Sequence, residues 1–535
     1  MLILNSMDSI KELIVGARFL SRIPSFLGNR WNLDEARSTL RQRLERRESD
    51  FLALMGKTVY ANAASPYRRL LSVCGCEYRD LQRMVRQDGV EGTLQALYTE
   101  GVYLTMDEFK GRRSVVRGSA TFELNPDEFH NPMATAHLMR HRSGSRGFSP
   151  PVPVDLASIR DRAVNLGLTL HARGGPDWHH AYWEVPGGSA MVHVLESLSC
   201  GAKPERWFSQ VDANDRSLHP RYRWGARLMR WASLINGVFI PQPQYVPVDR
   251  PQPIARWLAQ VLSAGHTPHL KTYASTAVRL CQAALEAGID IRGAQFTVTG
   301  EPVTPARLAA IHETGASALP RCGTSEAGLI GYGCFSPAVS DDLHFFHDMN
   351  ALIQPASHAR PNTLPPKALL LTSLRPTARL ILLNVSLGDQ AETERRSCGC
   401  PLEKEGWTTH IHTIRSFEKL TAGGMTFLDA DVIRVLDEIL PSKFGGGPTD
   451  YQLLEEMFQG GRPSLRLVVH PGIGAIDETA LIDTFLNALG VGSGVERVMS
   501  IQWREAGLLC VERAAPRITA AGKILHIHSE RPASR

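Results

Sequence analysis

Long apolar runs are missing from this chain of 535 residues. No uninterrupted stretch approaches the ~20 residues that a membrane-spanning helix needs. The longest apolar runs, around 368–373 and 379–385, have the length of buried strands. Charge of one sign is lacking too: 59 basic against 54 acidic residues leave +5. That excess is too slight over this length to imply nucleic-acid binding. Cysteines number nine, which is few and odd, so they do not read as a disulfide framework and point to the reducing cytoplasm. No internal repeat or low-complexity tract is visible, which excludes solenoids and linker-like chains. The hydrophobic N-terminus does not read as a secretory leader, because Asp8, Lys11, Glu12 and Arg18 interrupt it. Ile10, Leu13, Ile14, Ala17 and Leu20 recur at helical spacing, which predicts an amphipathic helix packed on the core.

Several signature motifs are absent as well. There is no G-x-x-x-x-G-K-[ST], no G-x-S-x-G, no H-E-x-x-H and no G-x-G-x-x-G after a strand. The one G-K-T, at 56–58, lacks its leading glycine and sits in a helical stretch. The glycine cluster at 490–494 reads as a turn. P-loop NTPase, serine hydrolase and zincin chemistry are therefore poorly supported.

What remains is a folded chain with 43% apolar and 21% charged residues. At ~150 residues per domain, its length suggests two to four domains. Residues 1–130 read as mainly helical and packed on the core. From 131 the texture changes to short apolar runs between Gly/Pro turns, with strands predicted at 294–299, 368–373 and 378–385 and a helix from 305 to about 314. Such alternation predicts an α/β fold with a buried, mainly parallel sheet. A boundary falls near 415–424. The smaller tail beyond it carries helices near 429–440 and 477–489 and strands near 464–470 and 506–512. The expected division is 1–130, 131–415 and 416–535.

Four constellations carry candidate chemistry. In RSGSRGFSP (142–150) small residues let backbone N–H groups converge on a phosphate, and Arg146 adds charge; a flexible basic loop is the plainer alternative. In CGTSEAG (322–328) Glu326 beside a glycine turn suits Mg²⁺, or is simply the first turn of a capped helix. Asp389, after Gly388, can accept two ribose hydroxyls, with Arg415 following; a turn-forming Gly-Asp is the commoner meaning. Lys523, after Gly522 in PRITAAGK (516–523), can reach into a site as a point charge, or lie solvated in a loop.

Their order along the chain resembles the adenylate-forming superfamily of acyl-CoA synthetases, and within it the phenylacetate–CoA ligase-like branch. The resemblance covers about residues 131–530. It is carried by TGEPVTPAR (299–307), CGTSEAG (322–328), IRSFEKLTAGGM (414–425) and PRITAAGK (516–523), and SPYRRLLSVCGC (65–76) is similar to an N-terminal part of that branch. It implies a large N-terminal domain with two sheets flanked by helices, plus a small mobile α+β C-terminal domain. It also implies two half-reactions: a carboxylic acid and Mg·ATP give an acyl-adenylate, and a thiol then displaces AMP. Ser143, Gly144, Ser145, Arg146 and Gly147 would hold the β- and γ-phosphates, and Glu326 the Mg²⁺. Gly300, Glu301 and Pro302 would flank the adenine with Cys322, Gly323 and Thr324, while Asp389 and Arg415 would bind the ribose. Lys523 would bridge carboxylate and α-phosphate, with a hinge at 415–418. Trp183 falls where this branch places part of its acyl pocket, or is simply a core aromatic.

Three positions depart from the family pattern: Arg146 replaces a usual Thr, Cys322 a stacking Tyr, and Phe417 a hinge acid. Cys398 and Cys400, with Cys334 and His344 upstream, make up a closed structural Zn²⁺ set of a kind some members of the branch carry, or are simply reduced thiols near a turn; His347 is a rival ligand. His410, His412, His526 and His528 read as strand residues. Cys74, Cys76, Cys200, Cys281 and Cys510 read as packing residues. The expected function is a cytoplasmic ATP-dependent ligase joining an aryl or medium-length acid to CoA. The alternatives are a carrier-protein, amine or protein-cysteine acceptor, or a non-catalytic descendant. No nucleic acid and no membrane span enter any of these readings.

Overall fold

The computed structural model describes residues 2–28, 31–140, 152–185, 187–212, 220–235, 237–355, 364–417, 421–422, 425–426, 429–457, 463–490, 503–504, 509–519 and 521–530. Six strands rich in apolar and β-branched residues come first in the main sheet: β1 (His179–Glu184), β2 (Pro204–Ser209), β3 (Pro243–Tyr245), β4 (Pro268–Tyr273), β5 (Gln295–Thr299) and β6 (Ser317–Thr324). They lie in the order β3-β2-β1-β4-β5-β6, every neighbouring pair parallel. Each parallel step needs a crossover. The helices Gly188–Ser199, Pro220–Leu234, Gln252–Ser263, Ala274–Glu286 and Pro305–His312 supply them in turn. The last begins sharply because Pro305 occupies its first position and the Thr304 side chain accepts from Arg307 N–H.

At Gly328 the chain reverses. Strands β7 (Gly328–Gly333), β8 (Leu343–Phe345), β9 (Asn350–Ile353), β10 (Ala368–Ser373), β11 (Val385–Arg395) and β12 (Thr409–Ser416) extend the same sheet as β7-β8-β12-β11-β10-β9, now antiparallel throughout. The two sheets implied by the resemblance are thus a parallel and an antiparallel half of one hydrogen-bonded sheet. The expectation of a mainly parallel sheet holds only for the first half. A tight turn at 325–327 has no room for a crossover helix, so β7 must return alongside β6.

The predicted strand at 378–385 is displaced. Residues 378–384 form an irregular buried crossing, and the strand begins at Val385. Leu380, Ile381, Leu382 and Leu383 are apolar because the crossing is roofed by the N-terminal helices, not because it pairs in a ladder. Its backbone is satisfied individually: Ile381 N–H bonds Phe129 O, and Asn384 O accepts from Leu104 N–H at 3.0 Å.

The first helix, Leu2–Gly28, packs through Phe19, Ile23, Phe26 and Leu27 against Met229 and Ala226 of the helix Pro220–Leu234. Ile14, Ala17 and Leu20, expected on the core, point to solvent instead. The wider Phe-rich stripe wins because a buried Phe or Ile stabilises by ~1.5–3 kcal/mol, and one helix has only one face to spend there.

The smaller C-terminal domain has its own four-stranded sheet, ordered Leu509–Arg513, Pro463–Val469, Tyr451–Met457, Ile527–Glu530. The helix Glu478–Leu489 and the helical run from Asp429 to Phe444 cover it, around Val432, Leu436, Leu453, Leu467 and Phe485. No described helix is long and apolar enough to cross a membrane.

Candidate active site at the carboxyl ends of the parallel strands

In an open parallel sheet, ligands bind in the crevice beyond the carboxyl ends of the strands. Here those ends deliver Glu184 from β1, Gln210 just past β2, Tyr273 from β4, Gly300 just past β5 and Thr324 from β6. Lys523 arrives from the C-terminal domain. Its Nζ donates to the Gly300 carbonyl at 3.0 Å and lies 5.1 Å from the centre of the Tyr273 ring, in cation–π range. Gly300 takes φ +77°, and a Cβ there would meet Lys523 Nζ at 2.8 Å, so glycine is required for the close approach.

The lysine loop is itself built for this reach. Thr519 and Lys523 exchange bonds, Thr519 N–H to Lys523 O at 2.9 Å and Lys523 N–H to Thr519 Oγ1 at 3.1 Å. Gly522 closes the turn at φ +81°, and a Cβ on it would sit 1.4 Å from Gln210 Oε1. Gln210 donates in turn to Trp183 O at 3.3 Å. Trp183 itself is fully buried, its Nε1–H bonded to Val246 O, and is therefore a core aromatic.

Glu301 turns inward. Its carboxylate accepts from Ser275 N–H at 2.7 Å, Ser275 Oγ at 2.9 Å and Arg307 Nη1 at 3.2 Å. Ser275 Oγ also accepts from Ile524 N–H at 3.1 Å, next to the lysine. Arg307 continues to Asp437, which is also held by Thr304 at 2.7 Å and His526 at 2.8 Å. Burial opposes ionisation of Asp437, but His526 and Arg307 outweigh it and hold the carboxyl below its usual range.

Glu326 occupies the turn between β6 and β7 and is buried. The helix start expected there is a hairpin; Thr324 Oγ1 accepts from Ala327 N–H at 2.9 Å and closes it. Cys322, Gly323 and Thr324 form the bulged end of β6. Burial, with Asp389 and Asp341 beside it, pushes the Cys322 thiol up to about 12. Asp389 pairs with Ser416 across β11 and β12. Arg415 is committed elsewhere: its Nη1 donates to Asp341 Oδ2 at 2.9 Å, and Asp341 also accepts Thr413 and Ile414 N–H groups. Phe417 N–H bonds Gly388 O at 3.0 Å. Pro302 follows Glu301 in the loop. Ser143, Gly144, Ser145, Arg146, Gly147 and Glu418 lie outside the described residues, as does 491–494 of the C-terminal glycine cluster.

Sequence reasoning missed Gln210, Ser275, Asp341 and Asp437. Asp341 had a signal in the Asp341-Asp342 doublet beside β8; the others come together only in three dimensions. A further ion cluster underlies the crevice: Glu196 meets Arg321 at 2.7 Å and Arg162 at 3.2 Å. A cavity of about 350 Å³ lined by Arg47, His347 and Arg395 lies elsewhere, at the far ends of β11 and β12 from Asp389 and Arg415.

Cys334, His344, Cys398 and Cys400 bring their four donor atoms within 4.8 Å of one another. His344 Nδ1 bonds Trp407 O at 2.6 Å, which turns Nε2 toward Cys400 Sγ, 3.1 Å away. The donor set fits tetrahedral zinc. His347 is not part of it. His410 instead bonds Asp342, which also pairs with Arg396 at the edge of the cluster. Cys281 is buried, but Cys510 is exposed rather than packed.

No protein-family model and no curated protein matches the chain. Solved structures do. The chain is similar to 2-hydroxyisobutyryl-CoA ligase in the postadenylation state with 2-HIB-AMP, at TM-score 0.54 and 14% identity, over 91% of this chain and 90% of that one. The same enzyme with R3-HIB-AMP gives 0.53 at the same identity and coverage. This is the adenylate-forming ligase fold. Within the adenylate-forming fold the crevice described above lies between a large sheet domain and a smaller C-terminal domain, and Lys523 joins the two.

Proposed function

We propose that the protein is an ATP-dependent carboxylic acid ligase of the phenylacetate–CoA ligase-like type, with domains 1–130, 131–415 and 416–535. Lys523 carries the reading: a C-terminal-domain ammonium is held at the carboxyl ends of the parallel strands, 3.0 Å from the Gly300 carbonyl. In the first half-reaction a carboxylate oxygen attacks the α-phosphorus of ATP and pyrophosphate leaves, giving the acyl-adenylate. Lys523 stabilises the charge that develops between the two reactants. Gly300, Glu301 and Pro302 flank the adenine, with Glu301 acting through its bonds to Ser275 and Arg307 rather than by touching the base. Asp389 binds the ribose. Arg415 positions that edge through Asp341.

Residues 143–147 hold the β- and γ-phosphates in this reading. Glu326, a buried carboxylate at the end of the last parallel strand, suits Mg²⁺, which would neutralise phosphate charge when bound. In the second half-reaction a thiol, CoA or a carrier-protein pantetheine, attacks the acyl carbonyl and AMP leaves. The C-terminal domain turns about 415–418 between the steps, withdrawing Lys523 to admit the thiol. Zinc, held by Cys334, His344, Cys398 and Cys400, is structural.

Carboxylate-dependent ATP–pyrophosphate exchange over a diverse acid panel tests the proposal. Exchange with a particular acid, reduced about 10²–10³-fold in Lys523→Ala, is the expected result. Folded protein that neither binds Mg·ATP nor exchanges with any acid would overturn it.

A further inference from the structure

Among the described residues two non-glycines take a positive φ, Asn384 at +50° and Thr413 at +54°. Asparagine enters that region readily, whereas a β-branched threonine there is strained. Thr413 lies in β12, and the ladder with β11 slips beside it. Glu392 faces His412 and Gln390 faces Arg415, so two steps along β11 answer three along β12. Thr413 and Ile414 therefore form a β-bulge, a device that re-aims a neighbouring side chain. The next residue is Arg415.

One buried carboxylate holds all three residues. Asp341, on the connection between β7 and β8, accepts Thr413 N–H at 2.9 Å, Ile414 N–H at 3.0 Å and Arg415 Nη1 at 2.9 Å. Two successive N–H groups converging on one anion make a nest. The carboxylate is itself set in advance. Cys334 N–H bonds Asp342 O at 2.9 Å and closes the loop, and Asp342 Oδ2 accepts Ala338 N–H at 2.9 Å. Ser340 Oγ then ties the loop to Val303 O at 2.8 Å, next to the Gly300–Pro302 turn.

The arrangement satisfies Arg415 poorly. Nη1 is spent on Asp341 and on Ile414 O at 2.8 Å, Nε is buried without a partner, and Nη2 has no hydrogen bond among the described residues. A strained backbone and an unbonded buried donor thus meet at one place, and such costs collect at functional sites. We propose that Asp341 is a positioning residue for nucleotide binding: by holding the bulge it fixes the Arg415 guanidinium at the ribose edge, with Nη2 left for the ligand. The role rests on the ligase reading above.

Calorimetric binding of Mg·ATP to the full chain, together with ATP–pyrophosphate exchange, tests this. Asp341→Asn should weaken Mg·ATP binding and raise KM for ATP about tenfold while kcat for exchange holds, because a ribose contact is the same in ground and transition states. In an Arg415→Met background the same change should raise KM no further. Adding Thr413→Gly to Asp341→Asn should recover part of the lost unfolding midpoint, since glycine takes φ +54° without strain, yet leave binding weak. This double variant also carries the test if Asp341→Asn alone does not fold. Wild-type affinity in Asp341→Asn would overturn the proposal, as would an undiminished further loss on top of Arg415→Met. Binding recovered by Thr413→Gly would overturn it too, by assigning the effect to the backbone alone. Wild-type protein that binds no Mg·ATP would instead overturn the ligase reading, and this role with it.

Discussion

Arg307 Nε and Asp437 Oδ2 lie 3.4 Å apart, both side chains buried, and they join the core domain to the C-terminal domain. Arg307 also holds Glu301, whose other partner Ser275 holds the backbone beside Lys523. The clasp and the lysine are therefore one connected structure. Removing one member of a buried pair leaves the other uncompensated and costs about 3–5 kcal/mol. Asp437→Asn is expected to lower the midpoint of urea unfolding accordingly. It should also reduce pyrophosphate exchange more than thioester formation from supplied acyl-adenylate, since only the first step needs Lys523 in place. Equal losses in both half-reactions would contradict this coupling.

Gly522 leads to a second prediction. Gly522→Ala meets two obstacles, a left-handed backbone and Gln210 Oε1 only 1.4 Å from the new methyl. The variant should displace the lysine loop and depress exchange at least tenfold. Adding Gln210→Gly removes the collision but not the backbone strain of ~1–2 kcal/mol. The double variant should therefore recover exchange in part, measured at saturating ATP and acid. No recovery would show that the backbone alone decides the position of Lys523.

Much of this architecture is legible in the sequence because it depends on local rules. Ala368–Ser373 is a short apolar run and is a strand; the helix expected from Pro305 begins there. The runs around Leu380–Leu383 look alike in sequence but are buried under other helices, and periodicity cannot distinguish a paired strand from a roofed crossing. The same limit applies at the site. Gly300 and Lys523 stand out through their neighbours in the chain, whereas Gln210, Ser275 and Asp437 acquire meaning only from partners remote in sequence. The sequence presents Arg415 as a ribose ligand, yet it forms an ion pair with Asp341, a residue that no motif singles out.

The cysteine cluster predicts about one zinc per chain by elemental analysis of the purified protein. Cys400→Ser should lose the metal, since it removes the thiol nearest His344 Nε2. It should also lower the unfolding temperature, because the four ligands tie β7, β8 and the turn at 398–400 together. Chelation should reproduce that shift in the wild-type chain and leave Cys400→Ser unmoved. Metal content far below one per chain in both proteins would leave three thiols, two of them buried, and a histidine as packing.

The last prediction concerns acid. His180 Nε2 faces the Gly175 carbonyl at 3.2 Å, so that nitrogen must donate, and neutral His180 accepts at Nδ1. His269 Nδ1, 2.9 Å away, is then the donor, which leaves its Nε2 to accept from Thr297 Oγ1 at 2.8 Å. Thr297 Oγ1 accepts in turn from Arg173 or Tyr332. Every position in the chain is filled with both rings neutral, so an added proton breaks a bond and meets the charges of Arg173 and Lys271. Burial accordingly lowers His180 to about 4 and His269 well below its usual value. Below the unfolded pKa of ~6.5, the unfolded chain binds protons that the folded chain refuses. Stability is therefore expected to fall as pH drops from about 6.5 towards 4, by on the order of 3 kcal/mol from His180 alone. Urea unfolding at several pH values, compared with His180→Asn/His269→Asn, checks this. The double variant should be less stable at pH 7 but show a flatter slope between pH 6.5 and 4, and an unchanged slope would assign the acid sensitivity to other groups.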